Sequence, residues 1–140
     1  MEQFKRLVWD PKYTVHVEEI DAQHQRLFKI TNDILDLYEK GSGELYPSLQ
    51  DLVPLMIIHF RSESVVMLES NYPDYREHNS QHSEFIDKML NFLKSYKESD
   101  PDLTVKILSY LHDWIYSHTT NLDLKYGQHL MRTRLVDKQK

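Results

Sequence analysis

There is no cysteine anywhere in the 140-residue chain, which excludes disulfide frameworks, thiolate zinc sites and cysteine-held iron–sulfur clusters. Any bound metal must be held by nitrogen and oxygen. No apolar run approaches the roughly 18 residues of a membrane span, and the start Met1-Glu2-Gln3-Phe4-Lys5-Arg6 lacks the apolar centre of a signal peptide. A soluble, cytoplasmic protein is expected. Positive charge is not in excess either: 17 lysines and arginines against 22 acids leave a net charge of -5, with no basic stripe to follow a phosphate backbone. Nucleic acid is not an expected partner. The three glycines and five prolines fall mostly at breaks between periodic segments, as short links between helices require. The length suits a single domain, 1–140, with a core of its own.

What the chain has in unusual number is histidine, eight in all. In His78-Asn79-Ser80-Gln81-His82 two imidazoles stand four residues apart, hence one above the other on one helix face. Phe85, Met89, Phe92 and Tyr96 carry that line on at steps of three and four, so the pair belongs to the buried stripe. Alone, such a pair is more often two surface or capping histidines. Here other segments repeat it. The first helix, about Glu18 to Glu39, has His24 in line with Ile20, Leu27, Ile34 and Tyr38; the second, about Tyr46 to Ser70, aims His59 and Glu63 inward together. Pro54 should kink that second helix about one turn before His59.

A third helix follows the turn Asn71-Tyr72-Pro73-Asp74, and Ser99-Asp100-Pro101 opens the fourth. Its stripe is Leu103, Ile107, Leu111, Trp114, His118 and Leu122. Asp123 lies five residues beyond His118, which on a straight helix turns it roughly 140° away. The two share a site only if the helix distorts there. His112 and His129 fall off the stripe and read as solvated, and His16 as an ordinary surface histidine. The expectation is all-α, an up-down-up-down four-helix bundle. An extended N-terminal arm, about 1–17, covers one end with Trp9 and Tyr13, the bundle spans about 18–131, and a polar tail frays from about 132 to 140.

The inner layer of that bundle would hold His24, His59, Glu63, His78, His82, His118 and Asp123. Burying five imidazoles and two carboxylates uncompensated costs several kcal/mol each, more than the ~5–15 kcal/mol net stability of a domain absorbs. Metal binding resolves the conflict. Seven ligands are too many for one tetrahedral zinc and too rich in nitrogen for calcium or magnesium. They suit two six-coordinate first-row ions bridged by the two carboxylates, with iron the choice and manganese the alternative.

The series Trp9, Tyr13, Ile20-Asp21-x-x-His24, His59-Phe60-x-x-Glu63, His78-x3-His82 and Trp114-Ile115-x-x-His118-x4-Asp123 resembles the hemerythrin family, and most closely its bacterial single-domain members, the bacteriohemerythrins. The resemblance runs from Trp9 to about Tyr126. It implies that His78, His82 and His118 hold one iron, that His24 and His59 hold the other, and that Glu63, Asp123 and an oxo or hydroxo group bridge the two. The two-histidine iron is then five-coordinate when reduced. Dioxygen is expected to bind there reversibly as hydroperoxide, in a pocket walled by Phe60, Trp114, Ile115 and Thr119. A binding protein rather than an enzyme is implied: an oxygen carrier, store or delivery protein, whose protein acceptor, if any, the sequence does not name. A sensor, an oxidase or peroxidase, or a nitric-oxide-handling protein is the alternative. Two positions depart from the family pattern. Ser64 stands where a second acid is frequent, and Thr119 where isoleucine is usual, which brings a hydroxyl toward the pocket.

Overall fold

The computed structural model describes residues 4–138; Met1 to Gln3, the start of the expected arm, and the last two residues of the expected tail lie outside that range. Four rods make up the bundle: α1 (Glu18–Glu39), α2 (Leu45–Glu69), α3 (Tyr75–Ser95), and a fourth built of α4 (Pro101–Ser117), a π-helical turn (His118–Leu122) and α5 (Asp123–Lys138). No strand occurs among the described residues. α1 packs beside α2 and α4, and α3 beside α2 and α4, the up-down-up-down order that short links impose.

The links follow from local chemistry. Gly41, at φ +65°, closes α1 by bonding its N–H to the Tyr38 carbonyl while Ser42 bonds that of Leu37, a Schellman cap whose left-handed residue favours glycine. Asn71 does the same for α2 at φ +54°, with Tyr72 N–H on the Met67 carbonyl. Asp100 caps α4 by accepting from Leu103 N–H, and Pro101 follows at the first turn, where a missing N–H does no harm. Pro54 sits inside α2 with its ring on the exposed side, and the helix runs on through it unbroken.

The arm is extended apart from one 3-10 turn, Pro11–Tyr13, that sequence reading did not anticipate. It is stitched to α1. Asn32 exchanges two 2.9 Å hydrogen bonds with the Leu7 backbone, Arg6 pairs with Asp36 and Glu39 at 2.6 Å, and Asp21 accepts from Val15 N–H and the Thr14 hydroxyl. The other end of the arm presses on α5: a Cβ on Gly127 would stand 2.8 Å from Val15 Cα. Gly127→Ala should therefore destabilise the fold by about 1–3 kcal/mol, as overpacking against backbone does, even though alanine is the better helix former. Urea unfolding measures it, and a stability gain would show that the arm yields.

The apolar core comes in two blocks with a polar layer between them. One block gathers Leu27, Phe60, Phe85, Ile115 and their neighbours; the other gathers Val15, Ile20, Met67, Tyr72, Tyr126 and Leu130. In α1, α2 and the fourth rod the site residues fall between a residue of one block and a residue of the other, and in α3 they fall between Tyr75, half-buried against the second block, and Phe85 of the first. Within α3, Leu93 takes the buried position expected of Phe92, which is only half-buried, as is Tyr96. The end of the chain also departs from expectation: from Arg132, where fraying was expected, the helix continues to Lys138.

Candidate metal centre

All seven expected ligands meet in that polar layer, each 5% exposed or less. α1 supplies His24; α2 supplies His59 and Glu63 one turn apart; α3 supplies His78 and His82 one turn apart. The fourth rod supplies the remaining two through its π turn. There the Asp123 N–H bonds to the His118 carbonyl, five residues back. In an i→i+5 turn, residues five apart become neighbours, so the carboxylate that a straight helix would carry off the face returns to it. His118 Nε2 lies 3.1 Å from Asp123 Oδ1.

The side chains sort into two overlapping sets. Glu63, His78, His82, His118 and Asp123 form one, and His24, His59, Glu63 and Asp123 the other, with ligand atoms within 4.8 Å of one another in each. Both carboxylates belong to both sets. Glu63 Oε1 lies 3.0 Å from His59 Nε2 and 3.5 Å from His82 Nε2, and Asp123 reaches His78 through Oδ1 at 3.0 Å and His24 through Oδ2 at 3.1 Å.

A metal fits these groups on two independent counts. The Nε2 atom of His118 lies 2.8 Å from that of His82 and 3.0 Å from that of His78. Adjacent ligands on a six-coordinate ion with bonds of about 2.1 Å stand about 3.0 Å apart, whereas tetrahedral ligands stand about 3.4 Å apart. Moreover, Nε2 of His24, Oε1 of Glu63 and both oxygens of Asp123 are buried without a hydrogen-bond partner among the described residues. Buried polar atoms left in that state are rare unless they ligate something.

The electrostatics of the metal-free cluster are those of a proton standing in for the cation. Burial alone would strip the proton from His24, but the Asp123 and Glu63 carboxylates, 3.1 and 3.5 Å from its Nε2, outweigh it and raise its pKa to about 10. Burial and the neighbouring His118 and His78 drive His82 the other way, to about 3, against the pull of Glu63. Glu63 and Asp123, despite burial, are held below the usual carboxylate range by the surrounding imidazoles. Burial opposes charge on His118 too, and Asp123 raises its pKa regardless.

Outside the ligands lie partners that sequence reading missed. Gln23 Oε1 accepts from His59 Nδ1 at 2.7 Å, which turns Nε2 toward the site. The Tyr126 hydroxyl, wholly buried, donates to Glu63 Oε2 at 2.5 Å. Tyr126 follows Asp123 by three residues on a helix, a spacing that marks it as a same-face neighbour once the helix is known to continue. Nδ1 of His24, His78 and His82 is buried with no acceptor among the described residues. Of the expected pocket residues, Phe60 stacks on His82 at 3.9 Å and Trp114 on His118 at 4.2 Å, on the three-histidine side, while Ile115 and Thr119 are buried. His112 and His129 are not solvated as expected: each is half-buried and bonds a backbone carbonyl at 2.7 Å, that of Lys5 and that of Ser70 respectively.

Residues 15–130 match the family model of the hemerythrin HHE cation-binding domain. The chain belongs to the hemerythrin family. It is 31% identical over 123 residues to a myohemerythrin of Riftia pachyptila, covering 88% of this chain and 92% of that protein. A bacteriohemerythrin of Methylococcus capsulatus is 23% identical over 117 residues, covering 83% and 89%. The crystal structure of a hemerythrin variant shares the fold at a TM-score of 0.73 and 21% identity, over 89% of this chain and 96% of that one. Among the described residues no helix is long and apolar enough to cross a membrane.

Proposed function

We propose that this hemerythrin-family chain holds two iron ions and binds dioxygen reversibly, as a carrier, store or delivery protein. The observation that carries the reading is the asymmetry of the two ligand sets: they share Glu63 and Asp123, but one has three histidines and the other two. His78, His82 and His118 would complete one ion, and His24 and His59 would leave the other a ligand short. When bound, such a pair supplies a vacant position for a small neutral ligand and one electron from each ion.

The protein's part is to keep that chemistry reversible. Five neutral imidazoles against two carboxylates favour the reduced ions. Gln23, a neutral amide, orients His59 without adding charge. Tyr126 ties down one oxygen of Glu63. Phe60, Trp114 and Ile115 put apolar surface against the ligand layer, which holds water and reductants off.

Thr119 favours a second reading, that of an oxidase, peroxidase or sensor. It is buried and follows His118 directly in the π turn, and on this reading its hydroxyl would donate a proton or hold a water at the centre. Thr119→Ile should slow irreversible oxidation of the oxygenated protein; an unchanged rate would show the hydroxyl to be idle. The reading as a whole is tested by loading the reduced protein with iron anaerobically, admitting oxygen and then removing it. A visible absorption band that appears and fades repeatedly is the expected result. Prompt conversion to a stable oxidised spectrum would favour the redox enzyme.

A further inference from the structure

The arm does more than cover the bundle. Trp9 lies beside His24, ring centroids 6.3 Å apart; Tyr13 lies beside Trp9 at 5.7 Å; and Phe28 packs against both, at 5.9 and 6.4 Å. Trp9 and Tyr13 are half-buried. Indole and phenol are the two uncharged side chains that give up an electron most readily. Here they stand in series from a ligand of the two-histidine ion to the surface.

Resting on the reading that the centre holds iron, the geometry points to a Trp9–Tyr13 relay that carries single oxidising equivalents out of the centre to the surface. The oxidant is hydrogen peroxide, which takes up two electrons and two protons to give two waters. With the ions already oxidised, those electrons must come from the protein. Trp9 gives one, Tyr13 refills Trp9, and the phenolic proton of the half-buried Tyr13 leaves to solvent. A one-electron, one-proton reductant of the ascorbate class then restores Tyr13; two such donors balance each peroxide.

Other aromatic groups at the centre lack this arrangement. Trp114, half-buried like Trp9, stacks on His118, but its neighbouring rings are Phe60 and Phe85, which do not oxidise, and Tyr110 lies beyond Phe85, so no tyrosine follows it in series. Tyr126 is wholly buried with its proton bound to Glu63, so that proton has no path to solvent.

The test is electron paramagnetic resonance of the iron-loaded, oxidised protein, frozen after hydrogen peroxide is added without reductant. A tyrosyl-type radical is expected, lost in Tyr13→Phe and in Trp9→Phe, unchanged in Tyr110→Phe, with peptide mass mapping placing oxidation at Tyr13. Bound iron and circular dichroism of each variant show that the arm and the centre persist. Absence of a radical, a radical indifferent to both substitutions, or one centred on Trp114 would overturn the relay. Metal-free protein and a photogenerated ruthenium(III) oxidant give a readout independent of iron: the tryptophan radical should form in the native chain and vanish in Trp9→Phe. Its persistence would also overturn the proposal, whereas its loss in a chain that takes up no iron would condemn only the reading of the metal.

Discussion

Glu63→Ala and Asp123→Ala should each empty the centre of both ions, although each removes a single side chain. Either carboxylate belongs to both ligand sets, so on the proposed reading its loss would take a ligand from each ion and break a link between them. His24→Ala should act differently. His24 belongs only to the smaller set, so the three-histidine ion should stay while the other is lost. The contrast separates bridging from simple coordination. Elemental analysis of the folded variants reads it out, with Glu63→Gln as a control of nearly the same shape that still gives Tyr126 an acceptor. Two ions retained in Glu63→Ala or Asp123→Ala would remove that residue as a bridge.

Removing the metal should lower thermal stability sharply and give the protein a new pH dependence. Ligand occupancy at about 1,000 times the dissociation constant stabilises by about 4 kcal/mol, and about 1 kcal/mol moves the melting temperature of a chain of this size by roughly 2–4 °C. A drop of roughly 10 °C follows. In the metal-free protein His24 has a folded pKa of about 10 against 6.5 for the free group. Its contribution is therefore complete below 6.5 and disappears as pH rises toward 10. His82, at about 3 against 6.5, acts with the opposite sign, favouring the fold above 6.5 and less as pH falls. The lowered carboxylates Glu63 and Asp123 add to the acid-side loss. Metal-free protein should thus be most stable near pH 6.5 and weaken toward pH 10. Metal-loaded protein should lack the alkaline decline, because metal binding displaces the His24 proton. Melting curves of both forms across that range decide the matter, and a metal-free form that gains stability from pH 7 to 10 would contradict the assignment of the His24 charge.

Much of this clustering was legible in the chain because most of the side chains obey helical spacing. His59 with Glu63 and His78 with His82 are one turn apart, and His24 and His118 sit on apolar stripes, so periodicity alone places them inside. Asp123 is the instructive case. Five residues from His118 is the wrong distance for an α-helix, and spacing could say only that the helix must distort. The form of the distortion, one carbonyl accepting from a residue farther on, is a backbone choice that side-chain identity does not announce. Gln23 and Tyr126 were hidden for another reason: their roles depend on which ring atom and which oxygen they face. His112 and His129 show the limit of the stripe argument, since a residue beside the stripe can still find a neighbouring segment's carbonyl. Lys138 marks a similar limit at the end, where a polar sequence still continues as helix.

The account stands on two unlike metal positions joined through shared carboxylates. The Mössbauer spectrum of the reduced protein loaded with iron-57 reports them directly. It should show two doublets of equal area, one for a three-histidine ion and one for a two-histidine ion, at two irons per chain. A single doublet with one iron per chain would contradict it.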